Sequence, residues 1–276
     1  MNVICFGAAG GGKRLFDVIS SNHNIIAFTD NDSNKWGDKL NDVPILSVKE
    51  ALSIDYDKII LTSAPGKDSI IKQLLSYGIK STQIDTSYID GPLEARIVFL
   101  EKLAELHKYI SEDVQVAEAG VFAGDFAKWI NNYYYNRKLY LFDTFQGFNE
   151  KDLQYEKGMS DAKIGDYANT SEYEVLKKMK YKENVIIKKG YFPDTAKDVR
   201  GQFCFVNLDL DLYEPTYNGL KLFSNKMVEN GVILVHDYFA TNFKGPREAV
   251  DKFISENKKY KAFPIGDGVS IMISGF

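Results

Sequence analysis

Four residues near the ends of two apolar segments have the side chains best suited to metal chemistry. Asp209 and Asp211 alternate with leucines, and His236-Asp237 closes the apolar run 232–235. Alternating residues of a strand face the same side, and adjacent carboxylates are costly unless a positive charge lies between them. We predict that Asp209, His236 and Asp237 bind one divalent cation. Carboxylate ligands favour Mg²⁺, which we expect here, whereas a histidine ligand would favour Mn²⁺ or Fe²⁺.

Each of these residues also has a purely structural interpretation. Asp209 and Asp211 could cap turns or accept backbone N–H groups, and for Asp211 this alternative is as good as metal binding. His236 could be an ordinary packed histidine. For Asp209 and Asp237 we favour the metal.

A glycine-rich segment that begins at Glu118 predicts a cofactor site. It follows an apolar strand pattern and leads into a helical one, and glycines at 120 and 124 let the backbone turn sharply and approach a ligand closely. The next predicted strand ends at Asp143, where a carboxylate can bind ribose hydroxyls. The spacing E-x-G-x-x-x-G differs from the G-x-G-x-x-G of dinucleotide folds and favours S-adenosylmethionine. A tight turn without a ligand is the alternative.

The elements that must position these residues form a predicted α/β series after residue 91. Short β-branched runs alternate with helical patterns, which indicates a parallel sheet, and the last two runs flank Gly266-Asp267-Gly268 as an antiparallel hairpin. The predicted strands are Val114–Ala119, Leu139–Phe142, Val185–Ile187, Phe203–Leu210 and Val232–Val235, followed by hairpin strands over 260–265 and 269–273.

The first ninety residues predict a smaller α/β unit of the same kind. Its strands are predicted at Val3–Phe6, Ile25–Phe28 and Ile59–Leu61, with helices over 13–20 and 68–77. Gly91-Pro92 marks a boundary, with Pro92 at the first position of a helix. We therefore predict two domains, 1–90 and 91–276.

The polar segment 149–171 follows one predicted strand and precedes a predicted helix over 172–179. It is either a surface loop or a lid over a substrate, since long loops of α/β enzymes often carry function.

Composition excludes several classes of protein. The 276 residues carry 34 Lys and Arg against 38 Asp and Glu, a net charge of −4, so the basic surplus of a nucleic-acid binder is missing. The two cysteines, Cys5 and Cys204, lie in apolar runs and suit a reducing compartment. No apolar stretch has the length of a membrane span. We expect a cytoplasmic protein with neither nucleic-acid nor membrane partners.

Five segments in the second predicted domain together resemble the macrocin O-methyltransferase (TylF/MycF) family, over about residues 92–276. They are EAGVFAGDFAKWI, LYLFDTFQGF, GYFPDT, FVNLDLDLYEPTYNGL and NGVILVHDY. Members of this family are class I enzymes that methylate sugar hydroxyls with S-adenosylmethionine and require a divalent metal. The resemblance implies the class I methyltransferase Rossmann-like fold, a parallel sheet ending in an antiparallel hairpin.

The resemblance also implies roles for individual residues. The metal ligands would be Asp209 and Asp237, and the family commonly has an acid where this chain has His236. Asp209 would be the leading general base, with His236 as the second candidate. The cofactor site would be lined by Glu118, Gly120, Gly124, Asp143, Thr144 and Phe145.

The first predicted domain carries its own glycine-rich turn, Gly7–Gly12, which precedes Lys13 and could hold a phosphate at a helix N-terminus. Asp30 ends the next predicted strand. The stretch FTDNDSNKWGDKLNDVPILS is similar to Rossmann-like N-terminal domains of sugar acyltransferases and some glycan-modifying enzymes, in which this region commonly binds a nucleotide-sugar. The alternative is a scaffold or a dimer surface, so the chain could form a homo-oligomer.

We therefore expect a metal-dependent S-adenosylmethionine O-methyltransferase that acts on a sugar hydroxyl. The sugar could be nucleotide-linked, part of a surface glycan in polysaccharide biosynthesis, or part of a natural product. One alternative is methylation of a phenolic or other small hydroxyl compound. Another is a non-catalytic protein that binds a nucleotide or S-adenosylmethionine, but such a protein has no need for Asp209 and Asp237 at neighbouring strand ends.

Overall fold

The computed structural model describes residues 1–64, 66–154, 156, 158–160 and 162–276. The chain divides into two compact units, Met1–Glu94 and Ala95–Phe276. Among the described residues, no helix is both long enough and apolar enough to span a membrane.

The first unit contains a six-stranded sheet in the order β3-β4-β2-β1-β5-β6, parallel except for the β3–β4 pair. The central strands are apolar and buried, as parallel strands covered on both faces are expected to be. The strands are β1 (Asn2–Phe6), β2 (Asn24–Thr29), β3 (Lys39–Leu40), β4 (Val43–Leu46), β5 (Lys58–Leu61) and β6 (Ile84–Asp85). The helices are α1 (Gly10–Ser20), α2 (Val48–Leu52), α3 (Lys67–Ser76) and α4 (Ser87–Leu106).

The second unit contains a seven-stranded sheet in the order β12-β13-β11-β10-β7-β8-β9. Five strands are parallel, and the hairpin β12–β13 adds antiparallel to β11. The strands are β7 (Gln115–Ala119), β8 (Leu139–Asp143), β9 (Val185–Lys189), β10 (Phe203–Leu208), β11 (Met227–Val235), β12 (Lys261–Pro264) and β13 (Ile271–Ser274). The helices are α5 (Ala127–Tyr133), α6 (Glu150–Leu153), α7 (Glu172–Lys178), α8 (Tyr213–Ser224) and α9 (Gly245–Glu256).

Two predicted boundaries are wrong. Helix α4 begins at Ser87, so Pro92 lies inside it rather than at its first position. The first turn forms because Thr86 accepts from the N–H of Asp90 and donates its hydroxyl to the Asp90 carboxylate. Strand β10 ends at Leu208, and Asp211 has a positive φ of 60°. Asp209 and Asp211 therefore do not share one face of a strand as predicted.

The segment 149–171 is more than an open loop. It contains the short helix α6, and Ser160 pairs with Phe243 in an isolated antiparallel bridge. Three residues of this segment, at positions 155, 157 and 161, lie outside the described residues.

Candidate active site

The register of the second sheet brings the predicted site residues to one edge. Ala119 of β7 pairs with Leu208 of β10, which in turn pairs with Val235 of β11. The following residues, Asp209 and His236, therefore lie next to each other at the carboxyl ends of the strands, where α/β folds bind ligands. The backbone ladder continues past the strands, because the Asp209 N–H donates to Ala119 O and the His236 N–H donates to Leu208 O.

Asp209, His236 and Asp237 form a compact cluster. The Nδ1 atom of His236 lies 3.0 Å from Asp209 Oδ1 and 3.0 Å from Asp237 Oδ2. The three side chains are only 16–23% exposed. All three offer a ligand atom within 4.8 Å of the others. The structure thus brings together the residues predicted as metal ligands.

These three side chains fit a divalent cation better than they fit one another. Ligands bonded at 2.0–2.1 Å in octahedral geometry lie about 3.0 Å apart, which is the spacing found here. Nδ1 of His236 is buried and close to both carboxylates. Even so, it makes no hydrogen bond of acceptable geometry to any described residue. A histidine nitrogen and two carboxylate oxygens that converge at this spacing are a suitable donor set for a hard or borderline cation once the imidazole is deprotonated.

The electrostatics of the cluster show the same need for positive charge. Burial alone would lower the pKa of His236, but the carboxylates of Asp209 and Asp237 outweigh it and raise this pKa to about 10. Burial would raise the pKa of Asp237, but the His236 cation lowers it to about 2. Burial and the charges of Asp237 and Asp209 raise the pKa of Asp211 well above its usual range. Without a metal, an imidazolium therefore supplies the missing charge.

The glycine-rich loop after β7 packs against the end of β10. Gly120 has a φ of 83°, and a Cβ there would overlap the carbonyl group of Asp209. Only glycine allows both this backbone conformation and this close approach. The loop glycine is therefore required to bring the predicted cofactor loop and the predicted metal cluster together.

Glu118 is almost fully buried under this loop, with 2% of its surface exposed. Its Oε1 accepts from Asn207 Nδ2 at 2.8 Å, while Oε2 has no hydrogen-bond partner in the described part of the chain. Burial, followed by the charge of Asp209, raises the pKa of Glu118 to about 8. A buried carboxylate oxygen without a donor is expensive, so this atom fits a hydrogen-bonding or cationic group of a bound cofactor.

Asp143 at the end of β8 holds the glycine-rich loop in place. Its Oδ2 accepts from the N–H groups of Val121 and Phe122, both at 2.8 Å, and its Oδ1 accepts from Phe145 N–H at 2.7 Å. The carboxylate is partly exposed and retains lone pairs. Its predicted role in binding ribose hydroxyls stays a prediction, beside this structural one.

The remaining predicted cofactor residues differ in their surroundings. The Thr144 hydroxyl donates to Gly147 O at 3.3 Å and accepts from Gln146 N–H, so both of its hydrogen bonds stabilise the turn that contains it. Phe145 is 7% exposed and packs in an apolar cluster with Phe126. A Cβ on Gly124 would press on Val175 of α7. The contacts found for these three residues are contacts within the protein.

Sequence reasoning missed two residues of this site. Arg96 of α4 lies 3.5 Å from Asp209 and is 9% exposed. The ring of Tyr167 packs edge-on against Phe122 and Phe148, and the charges of Asp211 and Asp237 help burial to raise its pKa. A lone arginine among the helical apolar positions of α4 was the only signal for the first residue. For Tyr167, the sequence offered no signal except that an aromatic residue lies in a polar segment.

The glycine-rich turn of the first unit is explained by packing. A Cβ on Gly11 would overlap Thr62 O, so the start of α1 packs directly against the end of β5. Asp30 accepts from the N–H groups of Ala8 and Asp32 and forms an ion pair with Lys35 at 3.0 Å. Nucleotide-sugar binding by this unit stays a prediction.

In comparisons with known proteins, each unit matches a family model. Residues 97–268 match the family model described as macrocin-O-methyltransferase (TylF). Residues 1–84 match the family model described as C2185-like, N-terminal. A search of curated proteins found no match.

Solved structures of methyltransferases share the fold. The O-methyltransferase NovP aligns with a TM-score of 0.54 and 21% identity, over 65% of this chain and 79% of NovP. CalS11, calicheamicin methyltransferase, aligns with a TM-score of 0.53 and 15% identity, over 77% of this chain and 86% of CalS11. A second structure of CalS11, described as TDP-rhamnose 3′-O-methyltransferase, aligns with a TM-score of 0.45 and 14% identity, over 77% and 88%.

The predicted class I methyltransferase fold is thereby confirmed. The family match covers well over half of the chain and includes every residue of the cluster at the strand ends. This chain therefore belongs to the macrocin-O-methyltransferase (TylF) family and is an S-adenosylmethionine-dependent O-methyltransferase.

Proposed function

We propose that this enzyme transfers a methyl group to a sugar hydroxyl with the help of a divalent cation held by Asp209, His236 and Asp237. The observation that carries the proposal is the convergence of His236 Nδ1 and two carboxylate oxygens at 3.0 Å without a hydrogen bond. The sugar is suggested by the family resemblance and by CalS11, which is described as a TDP-rhamnose 3′-O-methyltransferase.

Different residues of the protein would have different roles in methyl transfer. A bound cation would lower the pKa of the acceptor hydroxyl and fix the position of its oxygen. Asp209 is the proposed acceptor of the hydroxyl proton, with His236 as the second candidate. Glu118, Gly120, Gly124, Asp143, Thr144 and Phe145 are proposed to hold S-adenosylmethionine, whose sulfonium supplies the methyl group. The protein then contributes chiefly proximity and electrostatics.

Tyr167 is proposed to cover the acceptor. Its ring centroid lies 5.3 Å from that of Phe122 and 5.4 Å from that of Phe148. Burial, followed by the charges of Asp211, Asp237 and Asp209, raises its pKa, so the ring lies within electrostatic reach of these carboxylates. Tyr167 is the residue of the polar segment 149–171 that best fits the lid hypothesis. It suits the apolar face of a sugar ring, and it would also suit a phenol, so the second candidate substrate is a phenolic hydroxyl.

The variant Asp209→Asn tests the metal mechanism. We expect turnover to fall by at least about 100-fold, because both a metal ligand and a proton acceptor are lost. Binding of S-adenosylhomocysteine should largely survive, since the variant leaves the glycine-rich loop intact. Turnover and calorimetric Mn²⁺ titration would be compared with Asp198→Asn, which removes an exposed carboxylate elsewhere in this unit. Unchanged turnover in Asp209→Asn would exclude the mechanism.

The acceptor class is tested by a screen with isotopically labelled S-adenosylmethionine. Purified protein would be incubated with a panel of nucleotide-sugars and a parallel panel of phenols, and labelled products detected by mass spectrometry. We expect label in the nucleotide-sugar panel. Label confined to the phenols would replace the proposed substrate with the second candidate.

A further inference from the structure

Arg96 is a buried cation whose guanidinium has an N–H group that makes no hydrogen bond to a described residue. Its guanidinium stacks on the ring of Phe126, 4.1 Å from the centroid, and only 11% of the side chain is exposed. The Nη1 atom is fully buried and has no hydrogen-bond partner among the residues that the structure describes. Its ion pair with Asp209 Oδ2 is long, at 3.5 Å. A buried guanidinium N–H without an acceptor is costly, so this group fits a ligand that brings one.

The guanidinium lies at the edge of the predicted cofactor site. Phe126, on which it stacks, directly follows the glycine-rich loop and precedes α5. Asp209, its ionic partner, touches that loop through its carbonyl group at Gly120. The charge of Arg96 also acts on Glu118, whose pKa it lowers against the larger effect of burial. Arg96 and Glu118 are therefore within electrostatic reach of each other, and both border the glycine-rich loop.

These two residues offer complementary unsatisfied groups. Among the described residues, Glu118 Oε2 is a buried acceptor without a hydrogen-bond donor, and Arg96 Nη1 is a buried donor that makes no hydrogen bond and only a 3.5 Å ion pair with Asp209 Oδ2. A divalent cation bound by Asp209 would weaken this ion pair further, because the cation would share the charge of the carboxylate. A zwitterion with an ammonium group and a carboxylate would satisfy both residues at once. S-adenosylmethionine ends in such an α-amino acid.

We propose that Arg96 binds the carboxylate of the amino-acid part of S-adenosylmethionine. This inference rests on the proposed assignment of Glu118 and the glycine-rich loop to the cofactor. The planar guanidinium, held flat by Phe126, presents its N–H groups at its edge, which is the geometry that a carboxylate accepts. The competing role is that Arg96 only positions Asp209 for the metal.

Two cofactor fragments separate these roles. S-adenosylhomocysteine carries the amino-acid carboxylate, whereas 5′-methylthioadenosine keeps the adenine, ribose and sulfur without it. In calorimetric titrations of the full chain, we expect Arg96→Met to weaken S-adenosylhomocysteine binding by about 10- to 100-fold. Binding of 5′-methylthioadenosine should change by less than about twofold, because no ionic bond to it is lost. Arg200→Met, at an exposed arginine of the same unit, is the matched control and should affect neither ligand.

The conservative variant Arg96→Lys keeps the proposal testable if Arg96→Met fails to fold, as judged by thermal unfolding. Lysine retains the charge but not the planar fork, so the loss for S-adenosylhomocysteine should be smaller and 5′-methylthioadenosine should again be unaffected. An equal loss for both ligands, or a loss of Mn²⁺ affinity without a ligand difference, would assign Arg96 to positioning Asp209 and overturn the proposal. No effect on either ligand would overturn it too. Absence of S-adenosylhomocysteine binding to the unmodified protein would instead reject the proposed cofactor site.

Discussion

His236 stands at a position where the resemblance to the macrocin O-methyltransferase family implies an acid. The imidazole replaces a carboxylate in the proposed ligand set and removes one negative charge from it. Nitrogen ligands raise affinity for transition metals relative to Mg²⁺. The sequence-based preference for Mg²⁺ is therefore the part of the metal hypothesis that this histidine weakens most.

The variant His236→Asp should shift metal preference toward Mg²⁺. We expect the unmodified protein to bind Mn²⁺ more tightly than Mg²⁺, and the ratio of the two affinities to fall by about tenfold in the variant. Calorimetric titration of metal-free protein with each ion gives both affinities without any assay of turnover. An identical ratio in the two proteins would show that His236 is not a ligand.

Glu118 should make cofactor affinity depend on pH. Because burial raises its pKa to about 8, the carboxyl group is largely protonated at pH 7, and a ligand that carries an ammonium group would favour its ionised form. Affinity for S-adenosylhomocysteine should therefore rise with pH up to about 8 and level off above it, by at most about tenfold per pH unit. Calorimetry at several pH values measures this rise. Glu118→Gln should abolish it, and an equally steep rise in that variant would place the titrating group elsewhere.

At the scale of the elements, the site depends on how closely the glycine-rich loop approaches the end of β10. The parallel register puts Ala119 and Leu208 side by side, but the turn at Gly120 decides whether the loop can pass the Asp209 carbonyl. This contact links the two proposed binding functions, because the same backbone carries a proposed metal ligand and borders the proposed cofactor site.

Gly120→Ala tests this coupling. The added Cβ meets the Asp209 carbonyl in a backbone with positive φ, and we expect the free energy of unfolding to fall by about 3 kcal/mol. Metal affinity should fall with it, because Asp209 must move. Gly91→Ala is the control, since a Cβ there meets nothing within 4 Å in a helix and should be neutral or stabilising by up to about 1 kcal/mol. Chemical denaturation measures the free energy of unfolding of both variants. Equal values would show that the loop does not pack closely against the Asp209 carbonyl.

At the scale of the whole molecule, the two units differ in how much supports a binding function for each. The second unit carries the O-methyltransferase family match and the cluster of side chains proposed to bind the metal. The first unit has a glycine-rich turn whose packing against Thr62 accounts for Gly11, and an acid at Asp30 that already has partners. Its family description does not state a ligand. The nucleotide-sugar hypothesis for this unit therefore needs a direct binding measurement.

That hypothesis predicts that the full chain binds a nucleotide-sugar partly through Lys13, which is exposed at the start of α1. Lys13→Glu should weaken such binding by about tenfold, because a phosphate then faces a negative charge at the helix N-terminus. Lys49→Glu, at another exposed lysine of the same unit, should leave it unchanged. Calorimetric titration with a nucleotide-sugar panel measures both. If no nucleotide-sugar binds, or both variants behave alike, the scaffold role is favoured.

The sequence by itself determined the order of the seven strands of the second unit, three of the six strands of the first unit (β1, β2 and β5), the glycine-rich loop and the residues of the cluster Asp209, His236 and Asp237. These features are local: apolar runs, glycines and acids at strand ends follow one another in short segments that need no knowledge of distant contacts. The same local logic misplaced the start of α4 and the end of β10, because hydrogen bonds of Thr86 and the left-handed turn at Asp211 decide those boundaries.

Only the tertiary structure decided which side chains meet. Arg96 lies on a helix before the first strand of its unit, and no local pattern places it within 3.5 Å of Asp209. The spacing of His236 Nδ1 from two carboxylates, and the unsatisfied oxygen of Glu118, likewise exist only once β7, β10 and β11 are aligned in register. The spacing of residues in the sequence determines which side chains lie on one face of a helix or strand. Burial and the pairing of different elements determine which charged side chains come together, and therefore which charges a ligand must balance.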